Sequence, residues 1–168
     1  MSVAAIPDSG ARRRALDPER SFIVQAPAGS GKTGLLIQRY LQLLASVEHP
    51  EEIIAITFTR KAAGEMRSRV LEALAQARAG HAPASEHERA TIDLAAAALA
   101  RDTEAGWGVT ENPARLRIQT IDSLCAALTR QMPMLSRFGS QPESVEEDRK
   151  STRLNSSHSR ASRMPSSA

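Results

Sequence analysis

Cysteine occurs once in the 168 residues, at Cys125, which excludes an internal disulfide framework and a cysteine-based zinc site. No apolar run approaches the ~18 residues that a membrane-spanning helix needs. Arginines near the start, Arg12 to Arg14, follow a short and weakly apolar stretch, the reverse of the order in a secretory signal. The four histidines (His49, His81, His87, His158) lack metal-ligand spacing. What is present is globular in composition, 41% hydrophobic and 24% charged, and the length suits one domain. A soluble cytoplasmic protein with no membrane partner is expected.

The formal net charge of +3 is unevenly placed. Residues 1–147 hold 17 Lys+Arg against 18 Asp+Glu, a net of −1, and residues 148–168 hold 5 against 1, a net of +4. The basic excess belongs to the last segment and says nothing about the body. That segment, rich in Ser and Arg with only Leu154 and Met164 as large apolar residues, reads as a disordered basic tail. Residues 148–158 and 163–168 also back-translate, in one frame, into sequence that resembles two parts of a common short-read sequencing adapter. Translated adapter is set aside from fold reasoning. On this reading the genuine chain breaks off near Glu147, and the complete protein is longer.

Ser21 to Ala26 (SFIVQA) is a short apolar run ending at a glycine-containing turn, the pattern of a buried strand. A helix follows from Lys32, with Leu35, Leu36, Tyr40, Leu43 and Leu44 at spacings of three and four, ending by Pro50. Ile53 to Thr59 is β-branched and apolar, a second buried strand. Arg60 to Ala79 is helical, with Ala62, Met66, Val70, Leu74 and Ala77 on one face. Gly80 to Ser85 is a linker. Glu86 to Ala105 is an alanine-rich helix, broken by Gly106-Trp107-Gly108. Leu116 to Thr120 is a third strand, followed by a helix from about Asp122 to Met132. Strands alternating with helices predict an α/β fold with a parallel sheet.

The first strand runs directly into Ala26-Pro27-Ala28-Gly29-Ser30-Gly31-Lys32-Thr33 and then a helix. This is the P-loop pattern with Ala26 in place of its first glycine. Gly29 and Gly31 allow the backbone to turn so that several N–H groups face one phosphate. The following helix adds its positive dipole end. Lys32 then reaches the β- and γ-phosphates, and the Thr33 hydroxyl ligates Mg²⁺. ATP and Mg²⁺ are the expected cofactors, and Lys32 and Thr33 the expected catalytic residues.

The second strand ends in Thr57-Phe58-Thr59-Arg60-Lys61-Ala62-Ala63-Gly64-Glu65-Met66, followed by Arg67 and Arg69. This resembles motif Ia of superfamily 1 helicases of the UvrD/Rep/RecB group, and residues 26–33 resemble motif I. Gln119-Thr120-Ile121-Asp122-Ser123-Leu124-Cys125 is similar to motif Ic. The three occur in family order over roughly residues 11 to 138, and their wording looks closest to the RecB/AddA-like branch. The resemblance implies a P-loop NTPase with a RecA-like parallel sheet carrying helices on both faces. Residues 1–147 would be its incomplete first half, a partial helicase ATP-binding domain. It further implies an ATP-dependent 3′→5′ DNA helicase, acting on single-stranded and duplex DNA. The branch extends this to the helicase–nuclease type, with partner subunits, used in double-strand break repair.

Under that resemblance the DNA-binding candidates are Thr57, Phe58, Thr59, Arg60, Lys61 and Thr120. Strand ends lie at the carboxyl edge where ligands bind in α/β folds. Phe58 offers a flat face for stacking a base, and hydroxyls with Lys61 can hold the phosphate backbone. Phe58 as a core residue is the alternative. Glu65 and Arg67 are read as either site residues or a solvated helix face, Cys125 as a small core residue, and Trp107 as a loop anchor. Arg60 stands where the family usually has Asn, Asp122 stands where motif Ic commonly has His, and the family's adenine-reading Gln is missing from residues 11–16. The Glu86–Ala105 helix looks like an insertion between motifs Ia and Ic. No Walker B carboxylate pair follows motif Ic, so the chain by itself is expected to be inactive in turnover. Another P-loop NTPase, or a nucleotide-binding module without catalysis, remains the alternative.

Overall fold

The computed structural model describes residues 9–131. The chain divides into two compact units, Met1–Ala127 and Leu128–Ala168. The described part of the second is only the end of the last helix, so the architecture is that of the first. The order is α1 (Ser9–Ala15), α2 (Lys32–Leu44), β1 (Ile54–Thr57), α3 (Arg60–Arg78), α4 (Glu86–Ala105), β2 (Arg117–Thr120) and α5 (Ile121–Gln131). Short 3₁₀ turns at Pro50–Glu52 and Pro113–Arg115 lead into the two strands.

The helices start and stop where side chains satisfy their ends. Thr59 Oγ1 accepts the Ala62 amide at 3.1 Å to start α3, and Ser85 Oγ accepts the Glu88 amide at 3.1 Å to start α4. Gly106 closes α4 in the left-handed region at φ 65°. Asp102, near the end of α4, is buried and accepts the Val109 amide at 3.1 Å, which folds the next loop back onto the helix. Trp107 is buried there, and its Nε1 donates to the Glu48 carbonyl at 3.1 Å, which makes it the expected loop anchor.

Helices α2, α3 and α4 pack on one another, and α3 also covers one face of the sheet. Leu41, Leu44, Val70, Leu74, Val109, Leu116 and Ile118 are fully buried in this core. Each such side chain contributes roughly 1.5–3 kcal/mol relative to an exposed position. The face of α3 follows its spacing: Val70 and Leu74 are buried, joined by Ala63 and Ala73. On α2 the stripe is rotated from the expected one. Leu36 is exposed, while Ile37 and Leu41 are buried beside Leu35, Tyr40 and Leu44. The helix also stops at Leu44, before the proline, where the Ser46 amide tightens onto the Leu43 carbonyl at 2.8 Å.

The sheet differs from the expectation. Among the described residues it has two strands, β1 and β2, parallel, with Ile54 opposite Arg117 and Thr57 opposite Thr120. Ser21–Ala26 does not pair with them and is not a buried strand: Ile23 is 97% exposed. A strand draws its hydrogen bonds from partners distant in sequence, and its own apolar content does not supply them. The segment is tied instead to α2. Arg39 donates to the carbonyls of Ala15, Asp17 and Arg20 at 2.6–2.9 Å, and its guanidinium lies 5.4 Å from the Phe22 ring centre. Among the described residues helices do not cover both faces either, since Ile54 and Ile56 leave the face away from α3 open. The architecture is therefore mixed helix and strand around a small parallel sheet. The segment 148–168 lies outside the described residues.

Candidate nucleotide and DNA sites

The candidate phosphate loop is built by two backbone reversals and one long side chain. Gly29 and Gly31 both sit at φ 79°, a conformation that a side chain disfavours, and Gly31 is the residue from which α2 departs. No side chain caps this helix start, which leaves its first amides facing the loop. Lys32 curls back over the loop, and its Nζ donates to the carbonyls of Ala26 at 2.5 Å and Pro27 at 2.6 Å. The ammonium is thus tied to the two carbonyls that lead into the turn at Ala28 and Gly29. Thr33, the next residue of α2, is exposed. Ser30 Oγ is buried without a protein partner, and the Ser30 carbonyl accepts from Arg12 Nη2 at 2.6 Å.

Beside the loop lies a cleft of about 330 Å³, lined among others by Arg12, Arg14, Phe22, Gln25, Ser30 and Lys32. A left-handed glycine pair, an uncapped helix start, an orphaned hydroxyl and a hovering ammonium suit an anion with several oxygens. The residues therefore fit a triphosphate, and Thr33 offers a hydroxyl suited to Mg²⁺. Arg12 and Arg14 were not among the expected site residues. Their signal was present as the arginine run before the loop, but only the fold of α1 brings them to the cleft.

The second candidate region forms at the carboxyl end of the sheet. The parallel register sets Thr57 opposite Thr120, so the starts of α3 and α5 leave the sheet side by side. Phe58 projects between β1 and α3 and is 89% exposed, so it is not core. Thr59 is occupied in capping α3, with its far side open to solvent. Arg60 and Lys61 are exposed on the first turn of α3, and Lys61 forms a 4.0 Å ion pair with Glu65, itself exposed. Thr120 is brought to the same edge but is buried. Its Oγ1 meets Ser123 Oγ at 2.9 Å and accepts the Ser123 amide at 3.2 Å, so it works as a helix cap.

Two expectations change here. Arg67 is not a solvated residue: its Nη2 donates to the Ile118 carbonyl at 2.6 Å and ties α3 to β2. The core tyrosine, Tyr40, is raised to about 12 by burial, partly offset by the nearby Arg67 charge, and stays neutral. Cys125 is not core but exposed on α5, since the fold leaves no described residue of that helix buried. Asp122 lies exposed in the first turn of α5, where its charge complements the helix dipole.

Comparison with known proteins adds a family. The model of the UvrD/REP helicase N-terminal domain matches residues 9–164, a span that runs into the segment 148–168. Several curated relatives are named as a subunit of an ATP-dependent helicase/nuclease. The one from Lysinibacillus sphaericus (strain C3-41) is 33% identical over 116 residues, 67% of this chain and 8% of the relative. The one from Bacillus pumilus (strain SAFR-032) is 37% identical over 78 residues, 45% of this chain and 6% of the relative. The one from Clostridioides difficile (strain 630) is 42% identical over 62 residues, 35% of this chain and 5% of the relative. The chain thus spans a small fraction of the length of the relatives it matches. No solved structure gives a significant match.

Proposed function

Since the chain belongs to the UvrD/REP helicase N-terminal domain family, we propose that it is the ATP-binding portion of an ATP-dependent DNA helicase of the helicase–nuclease type. The observation that carries this reading is the phosphate loop: Gly29 and Gly31 at φ 79° directly before α2, with Lys32 folded over them. Residues 26–33 would hold ATP, with Lys32 supplying charge and Thr33 a hydroxyl to Mg²⁺. Bound ATP with Mg²⁺ supplies the phosphoryl group whose hydrolysis drives the motor. The carbonyls of Ala26 and Pro27 hold Lys32 in the meantime, and a phosphate oxygen is the stronger, charged acceptor. Arg12 and Arg14 at the cleft raise the local attraction for an anion.

Single-stranded DNA would run along the carboxyl edge of the sheet. Phe58 would stack a base without regard to sequence, and Thr57, Thr59, Arg60 and Lys61 would hold the backbone. Thr120 would act from beneath, by fixing the start of α5. By resemblance the complete protein would translocate 3′→5′, unwind duplex DNA, work with helicase–nuclease partner subunits and serve double-strand break repair in the cytoplasm. No described helix is long and apolar enough to cross a membrane.

The test is ATP hydrolysis by the intact protein, with and without single-stranded DNA. Lys32→Ala is expected to lower DNA-stimulated turnover by about 10²-fold or more, as removal of a transition-state charge donor does. Wild-type turnover in that variant would overturn the assignment.

A further inference from the structure

Gly34 is the third residue of α2 and lies one position beyond Thr33. A methyl group placed on it would sit 3.0 Å from His87 Nε2 and 3.2 Å from His87 Cε1. The Nε2–Cε1 edge of this α4 imidazole therefore lies close against the first turn of α2. Its other edge is fixed as well. Gln38, one turn further along α2 and 4% exposed, directs its side-chain amide at His87 Nδ1 (3.2 Å), the His87 carbonyl (3.2 Å) and Thr91 Oγ1 (2.9 Å). Thr91 Oγ1 donates in turn to the His87 carbonyl at 3.0 Å. A buried amide with these partners sets the ring, and the ring bears on the turn that begins at the phosphate loop.

We propose that His87 is a positioning residue for the phosphate loop. Held by Gln38 and pressed against Gly34, it fixes the first turn of α2 and so the direction in which Lys32 and Thr33 face. This inference rests on the ATP-binding reading. It assigns a further use to α4, which the family's motif spacing marks as an insertion and which otherwise contributes core packing and, through Asp102, the anchor of the following loop. It also gives Gly34 a reason. Glycine weakens a helix relative to alanine, and here the missing methyl makes room for the ring. Anything that displaces α4 would reach the nucleotide through this contact.

The test is a double-mutant cycle in the intact protein, read by binding of a fluorescent ATP analogue, ATPase KM and kcat, and thermal midpoint. Gly34→Ala is expected to weaken nucleotide binding about fivefold, because the added methyl meets the ring. In the His87→Ala background the same substitution is expected to cost nothing, because the obstacle is gone. His87→Ala alone is expected to raise KM more than it lowers kcat, and His87→Asn, whose amide oxygen can accept from Gln38, to restore part of the affinity. Unchanged affinity in Gly34→Ala, or the same loss in both backgrounds, would overturn the inference while leaving ATP binding intact. Losses that track the thermal midpoint, with no rescue by His87→Asn, would overturn it in favour of plain packing. A wild-type protein that binds no nucleotide would overturn the proposed function, and this inference with it.

Discussion

The three-helix core and the phosphate-loop side of the molecule are held together by different means. In the core, α2, α3 and α4 bury their apolar faces on each other, with Leu41, Leu44, Val70 and Leu74 fully out of water. Around the loop, Ile23, Val24 and every residue from Gln25 to Gly29 are exposed, and order comes from polar tethers. Arg39 holds three carbonyls, Arg12 holds the Ser30 carbonyl, and Lys32 holds those of Ala26 and Pro27. Burial is non-directional and resists change, whereas charged hydrogen bonds can be exchanged for those of an anion. Stability is thus concentrated away from the residues that would do chemistry. Helix α2 belongs to both regions, with its first turn in one and its remaining turns in the other.

That division predicts opposite responses to truncation. Leu74→Ala removes a fully buried side chain from α3 and is expected to destabilise the fold by about 2–5 kcal/mol. Urea unfolding of the chain measures it. A cost near zero would mean that α3 is not the centre of the core.

Phe58→Ala sharpens the contrast from the other side. The ring is 89% exposed, so its removal is expected to change stability by no more than about 0.5 kcal/mol. In the intact protein it is expected to weaken single-stranded DNA binding by ~1–3 kcal/mol, with little dependence on sequence. Loss of stability without loss of DNA affinity would return Phe58 to the core.

The same division marks what could be read from the amino acids. Helices α2 to α5 were legible because their determinants are local: Gly106 as a stop, Val70 and Leu74 at one-turn spacing. Strands β1 and β2 were legible as elements, β1 from its β-branched run and β2 as a short stretch ahead of a helix. The failure of Ser21–Ala26 to pair was not, because pairing depends on neighbours that no local pattern names. The roles of Arg67, Arg39 and His87 were invisible for the same reason. Each acts on a backbone or side chain far away in sequence, at Ile118, Ala15 and Gln38 respectively. Of the candidate site, the turn at Gly29 and Gly31 was legible down to the residue. The cleft beside it was not, since α1 had no periodic pattern to announce it.

One contact joins the two turns that feed the sheet, and it gives the smallest predicted effect. Glu51 stands just before β1 and Arg115 just before β2, and they meet through two hydrogen bonds, Nε to Oε1 at 2.6 Å and Nη2 to Oε2 at 3.2 Å. Arg115 also donates to the Trp107 carbonyl at 2.8 Å, so the pair links the strand entrances to the anchored loop. The Arg115 hydrogen bonds hold the Glu51 carboxyl below the usual carboxylate range, against a smaller opposing effect of desolvation. A lowered value in the folded state means that the unfolded chain binds the proton more readily. The pair therefore adds stability at neutral pH, and that contribution is lost as pH falls through the folded value. The groups are partly exposed, at 27% for Arg115 and 41% for Glu51, so solvent screens most of the attraction. Glu51→Gln is expected to lower the thermal midpoint at pH 7 by about 3 °C or less. The difference between wild type and variant should shrink as pH is lowered through the acid range, because protonation does to the wild type what the substitution does to the variant. Thermal melts of both chains over that range measure it. A gap that stays constant would assign the effect of Glu51 to packing of the turn and not to its charge.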